Sequence, residues 1–178
     1  MIEIKKLTTP LTEENMRVLK AGDWVSISGV VYTARDMAHK RLCKAIESGQ
    51  QLPFELEGAV IYFVGPTPAP PGRVIGAAGP TTSSRMDAFS PTLIASGLRA
   101  MIGKGYRDSR VRQALKKYGA VHFTAVGGAA ALLSRHIVSA KVIAYEDLGT
   151  EAVRMLQVVD FPVIVSYDSA GNTVYQEV

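Results

Sequence analysis

Two periods of hydrophobic and polar positions alternate along this chain. From Trp24 to Thr33, Val25 and Ile27 stand between serines, a period of two that predicts a strand with one buried face. Ile2 to Leu7 predicts a shorter strand, and Thr12 to Lys20 a brief helix capped by Thr12, with Glu13 and Glu14 in its first turn. From Arg35 to Ser48 the period lengthens: Met37, Ala38, Leu42, Cys43 and Ile46 fall near helical spacing, and Gly49 supplies the stop. Ala59 to Val64 is apolar without interruption, which suits a strand buried on both faces.

Gly65 to Pro80 breaks both periods. It holds five of the nine prolines together with Gly72, Gly76 and Gly79, and reads as a stiff, turn-rich loop. Ser90-Pro91 then predicts a helix start, with the helix running to about Ile102 and closing at Gly103-Lys104-Gly105. Asp108 to Tyr118 is a second helix, stopped by Gly119. Val121 to Ala125 (strand), Gly127 to His136 (helix) and Lys141 to Tyr145 (strand) follow. A short helix from Glu151, a strand over Pro162 to Tyr167, a turn at Asp168 to Asn172 and a last strand from Thr173 to Gln176 complete the order. Strands dominate the first part and strands and helices alternate in the second, so the expected architecture is an α/β or layered β/β/α single domain.

Composition narrows the function classes. Hydrophobic residues make up 47% and charged residues 20% of the 178 positions, as in ordinary globular chains. No apolar run reaches the length of a membrane span, and Met1 to Lys6 lacks the apolar stretch of a signal peptide, so a cytoplasmic protein is expected. The single cysteine, Cys43, excludes an internal disulfide and a cysteine-built cluster or zinc site within the chain. A formal charge of +4 suits anionic ligands. The basic residues are scattered, with no aromatic-interleaved stripe, which disfavours nucleic acid.

Two stretches offer chemistry. Gly76 to Asp87 combines small residues with four consecutive hydroxyls, Thr81 to Ser84, and with Arg85, whose guanidinium suits a carboxylate. It lacks the ending of a phosphate-binding P-loop, and its composition fits a hydroxyl-rich surface turn as well as an anion site. Arg35 and Asp36 sit where a strand gives way to a helix, with His39 three positions beyond Asp36. An anion held at that helix start would be favoured, which makes Arg35 a candidate ligand-binding residue; a surface ion pair for Arg35 and a partly buried helix position for His39 are the plainer readings. Lys104 reads as a helix-terminal lysine, and His122 and His136 as structural residues.

These stretches, in this order, resemble the β subunit of class I (iron–sulfur) fumarate hydratases and L-tartrate dehydratases, equivalent to the C-terminal domain of the single-chain forms. The resemblance rests on Thr33-Ala34-Arg35-Asp36-Met37-Ala38-His39, Gly79-Pro80-Thr81-Thr82-Ser83-Ser84-Arg85-Met86, Lys104-Gly105, Gly127-Gly128-Ala129-Ala130 and the tail from Glu146 to Pro162. It implies a swivelling β/β/α domain over residues 1–178, docked on a larger α subunit that carries a 4Fe–4S cluster, in an α2β2 assembly. It implies Thr81 as catalytic base, and Arg35, Arg85 and Lys104 as ligands of the substrate's oxygens. Asp36 and His39 would fix Arg35 and its loop, and this chain would bind no metal. The expected reaction is hydration or dehydration of a small dicarboxylate, fumarate–malate first and tartrate next. A non-catalytic anion-binding or assembly module is the alternative.

Overall fold

The computed structural model describes residues 1–125 and 130–176. Four strands run parallel side by side: β2 (Trp24–Thr33), β3 (Val60–Tyr62), β4 (Ala100–Gly103) and β5 (Val121–Ala125). The 15-residue β7 (Val153–Tyr167) is antiparallel to both β5 and β2, and so closes the five strands into a mixed barrel. Outside it, β1 (Ile4–Thr8) extends β2 in parallel and β6 (Ile137–Ala144) pairs antiparallel with the first half of β7. The chain is thus a mixed α/β domain built on a closed barrel.

Closure needs a bend in so long a strand. The β2–β7 register slips between Ile27 and Gly29, where Asp160 takes a positive φ of 48°. Ser26 Oγ donates to Asp160 Oδ1, and the Asp160 amide donates to Ser28 Oγ, each at 3.0 Å, so the bulge carries its own polar partners. Pro162 stands two residues beyond Asp160, where the register is regular again and it pairs with Ser26.

The apolar run at Ala59–Val64 is buried on both faces. Val60, Tyr62 and Val64 point into the barrel with Val25, Ile102, Phe123 and Val163. Ala59, Ile61 and Phe63 point outward, under the helices. Those helices are α2 (Asp36–Glu47), α3 (Ser90–Ala95) and α4 (Ser109–Tyr118), which contribute Leu42, Leu93, Ile94, Val111 and Leu115. Helix α1 (Glu13–Arg17) begins with a capping box between Thr12 and Asn15, and Met16 joins the inner cluster. Helix α5 (Ala130–Ser134) follows β5; the earlier part of the helix expected from Gly127 lies outside the described residues.

Three expectations are corrected. The helix expected to reach Ile102 ends at Ala95: Gly97 has φ +116°, and Ala100–Gly103 is an inner barrel strand. A short apolar run such as Ala-Met-Ile-Gly carries no period, and only pairing with β3 and β5 decides its type. No helix starts at Glu151. A 3-10 segment, Glu146–Glu151, precedes β7 there. The last expected strand reduces to one bridge, Tyr167 to Thr173.

Candidate functional site

Parallel strands deliver their carboxyl ends to one end of a barrel, and three of the singled-out segments leave from those ends. Arg35 follows β2, Gly65 follows β3, and Lys104 follows β4 directly. Lys104 therefore does not close a helix, because the segment before it is barrel strand. After the proline-rich loop the chain returns to this end. The Thr81 amide donates to Phe63 O at 2.7 Å, Thr82 forms a parallel bridge with Lys104, and the Ser83 amide donates to Lys104 O at 2.8 Å. Thr81 to Ser83 thus lies as an extended segment across the ends of β3 and β4.

A 3-10 turn, Ser83–Met86, follows and presents Arg85. Its Nε donates to Asp36 Oδ1 at 2.9 Å. Asp36 stands in the first turn of α2, where the helix dipole favours a carboxylate. Its other oxygen lies 3.8 Å from Arg35 Nε, too far for a hydrogen bond and near the outer limit of an ion pair. One carboxylate therefore stands between two guanidinium groups, each turning its Nε edge to it. The Arg35 side chain passes close to Gly65: a Cβ there would come within 2.9 Å of its Nη1 and 3.0 Å of its Cδ. Nothing in the pattern of the sequence singles out Gly65, since its need arises from a side chain 30 positions away.

Exposure grades the group. Arg35 and Asp36 keep about a quarter of their side-chain surface (23% and 27%), Arg85 half, and Lys104 is exposed. Thr81 is half-buried and Thr82 exposed. His39 is different: it is fully buried, its Nδ1–H donates to Arg35 O at 2.8 Å, and its ring meets the Phe63 ring edge-on. Burial pushes its pKa down to about 4, assisted by the charge of Arg107, while its bond to the Arg35 carbonyl and the charge of Asp36 oppose the shift only in part. His39 is therefore neutral at pH 7. It holds the start of α2 from below.

The structure brings together Arg35, Asp36 and Arg85 by side-chain contact, and Thr81, Thr82 and Lys104 by backbone pairing. Beneath them, Ser83 of the hydroxyl run and His122, expected to be structural, join residues with no sign in the sequence, Ser166 and Arg107. Ser83 Oγ bonds His122 Nε2, and His122 Nδ1 bonds Ser166 Oγ, all three residues being fully buried. Arg107, also buried, pairs with Asp87 at 2.7 Å and donates to Ser90 Oγ. Spacing in sequence gives no sign of these, because each tie joins different elements.

Among the described residues no three His, Cys, Asp or Glu side chains are arranged to hold a metal ion. Cys43 is buried against Phe89, and burial raises its thiol to about 11, so it stays protonated at neutral pH. These residues do not fit a cluster or metal centre. Among the described residues no helix is long and apolar enough to cross a membrane. A hollow of about 490 Å³ opens beside the site, lined by Pro66, Thr150 and Arg154 among others, but not by Arg35, Thr81, Arg85 or Lys104.

Comparison with known proteins gives the family of the chain. The "Putative L(+)-tartrate dehydratase subunit beta" of Methanocaldococcus jannaschii is 37% identical over 174 residues, which are 94% of this chain and 89% of that one. The aerobic class I fumarate hydratase of Escherichia coli K12 is 36% identical over 156 residues, 86% of this chain but 28% of the relative. Fumarate hydratase 2 of Leishmania major is 34% identical over 158 residues, again 28% of its own length. The chain thus spans under a third of these fumarate hydratases and nearly the whole of the tartrate dehydratase subunit. The family model described as "Fumarase C-terminus" matches residues 2–178, and with it the segments that carry Arg35, Thr81, Arg85 and Lys104: this chain belongs to the fumarase C-terminus family.

Proposed function

We propose that this chain is the β-subunit half of a hydro-lyase that adds water to, or removes it from, a small dicarboxylate. Fumarate–malate is the first substrate pair and tartrate–oxaloacetate the second. The observation that carries the reading is the Asp36 carboxylate between Arg35 and Arg85. With both Nε edges turned to Asp36, the Nη groups of the two arginines are left for the planar, two-pronged carboxylates of a ligand.

Lys104, on the strand end bridged to Thr82, adds a third cation. In the dehydration direction Thr81 Oγ1, as alkoxide, takes a proton from the substrate carbon next to a carboxylate. The negative charge that develops spreads onto that carboxylate, and hydroxide leaves the neighbouring carbon. In hydration the same hydroxyl returns the proton. A threonine hydroxyl is a weak acid in water. Cations beside it favour its charged form, and the same cations hold the carbanion-like intermediate. Asp36 and His39 serve by orientation, the first between the arginines and the second under the Arg35 carbonyl.

A 4Fe–4S cluster, which the class I enzymes use, has no ligand set among the described residues, so in this reading a partner α subunit holds it and the active site forms between the two in an α2β2 assembly. The barrel with its helical layer is then the family's swivelling β/β/α domain. The test is reconstitution. The chain alone should be inactive, and anaerobic mixing with a cluster-loaded α subunit should give fumarate–malate or tartrate–oxaloacetate conversion. No conversion of either pair would overturn the proposal. Tight dicarboxylate binding by the chain alone, without turnover in the complex, would point to an anion-binding module.

A further inference from the structure

The turn that presents Thr81 and Arg85 is held from beneath by a hydroxyl–imidazole–hydroxyl chain whose direction the geometry fixes. Ser166 Oγ donates its hydrogen to His122 O at 3.0 Å, so toward the imidazole it can only accept. His122 Nδ1 therefore carries the ring hydrogen and donates to Ser166 Oγ at 2.8 Å. Nε2 is left as an acceptor, and the Ser83 hydroxyl donates to it at 2.9 Å. Burial, with the nearby charge of Arg107, holds the His122 pKa well below the ordinary imidazole value, so the ring stays neutral and keeps this tautomer.

Ser83 is the junction. It stands two residues after Thr81 and two before Arg85. Its amide is tied to Lys104 O on the end of β4, and its hydroxyl to β5 through His122 and onward to β7 through Ser166. Its side chain crosses directly over Gly103, where a Cβ would fall 2.1 Å from Ser83 Oγ. A second brace secures the far end of the turn: Asp87 receives Arg107 Nε through Oδ1 and the Asp108 amide through Oδ2 at 2.9 Å. Arg85 has an anchor of its own in Asp36. Thr81 is tied by its amide to Phe63 O, and its place relative to Lys104 is set through the backbone that Ser83 pins.

We propose that His122 is a positioning residue for the hydro-lyase reaction, holding Ser83 so that Thr81 and Lys104 keep one fixed separation. It does not touch substrate, and it carries no proton in the reaction. The inference rests on the reading above that Thr81 and Lys104 act on the dicarboxylate. A displacement of about 1 Å between reacting groups costs on the order of a hundredfold in rate, so a tie of this kind shows itself mainly in turnover.

The test uses the chain complexed with its cluster-loaded α subunit, with kcat and KM measured separately for Ser83→Ala, His122→Phe, His122→Gln and the Ser83→Ala/His122→Phe double variant. Ser83→Ala and His122→Phe should each lower kcat by about 10- to 100-fold with KM within about threefold, because the Arg85 anchor is untouched. The double variant should be no slower than the slower single, since both break one tie. His122→Gln, whose amide oxygen takes the place of Nε2, should recover most of the loss. Should His122→Phe fail to fold, Ser83→Ala and His122→Gln decide alone. A Ser83→Ala complex with lowered Tm but wild-type kcat would make the network merely structural and overturn the inference, leaving the function in place. A wild-type complex inactive on both substrate pairs would overturn the function and this inference together.

Discussion

Arg85 donates from Nε to Asp36 Oδ1 at 2.9 Å, joining a 3-10 turn to the first turn of a helix 49 positions earlier. The pair is partly exposed, so its net worth to folding is about 1 kcal/mol or less. Its worth to a ligand is larger, because it decides which edge of Arg85 faces outward. Asp36→Asn keeps the shape and removes the charge that aligns both arginines. In the reconstituted complex KM should rise about tenfold, the equivalent of one charge-assisted hydrogen bond, with Tm nearly unchanged. An unaltered KM would remove Asp36 from the site.

Thr81→Ala deletes the proposed base and leaves the backbone bond from its amide to Phe63 O. Expected is a fall in kcat of about a hundred- to ten-thousandfold with KM close to wild type, the pattern of lost proton transfer. Steady-state rates on fumarate and on tartrate check it.

The Asp87–Arg107 pair is buried, with side-chain exposures of 9% and 0%. Removing one partner strands the other charge in the interior. Asp87→Ala should destabilise the chain by about 3–5 kcal/mol, a fall in Tm of about 6–20 °C for a domain of this size. Calorimetry reads it directly. A change below 1 kcal/mol would mean that the Arg107 charge finds other partners in Ser90 and the Phe63 ring.

His39 is buried and neutral, with a folded pKa of about 4 against about 6.5 when exposed. Above pH 6.5 neither state takes up the proton, and its contribution to stability is complete. As pH falls from 6.5 toward 4, the unfolded chain binds a proton that the folded one refuses, so unfolding gains. His39 alone should cost about 2 kcal/mol between pH 7 and pH 5, and buried His122 acts in the same direction. His39→Phe should flatten this dependence in urea titrations. The Arg35 carbonyl keeps its bond to the residue-39 amide, so the substitution strands no backbone group there.

The sequence alone determined what depends on neighbours along the chain. The period of two over β2, the capping signal at Thr12, the Gly119 stop of α4, and the two-faced burial of Ala59–Val64 are local facts of side-chain size and backbone freedom. Arg35 and Arg85 stood out for the same reason: each is a cation set among small or polar residues at the edge of a regular element. The tertiary structure decided the rest. Ala100–Gly103 became a strand and not a helix end because β3 and β5 offered it hydrogen bonds on both sides, and Lys104 moved with it from a helix terminus to the end of a barrel strand. The placing of Asp36 between two arginines, the space that Gly65 leaves for Arg35, and the tie from Ser83 through His122 to Ser166 join residues 30 to 83 positions apart. Closing a barrel is a cooperative event of the whole chain, and only that closure brings such residues within hydrogen-bonding distance.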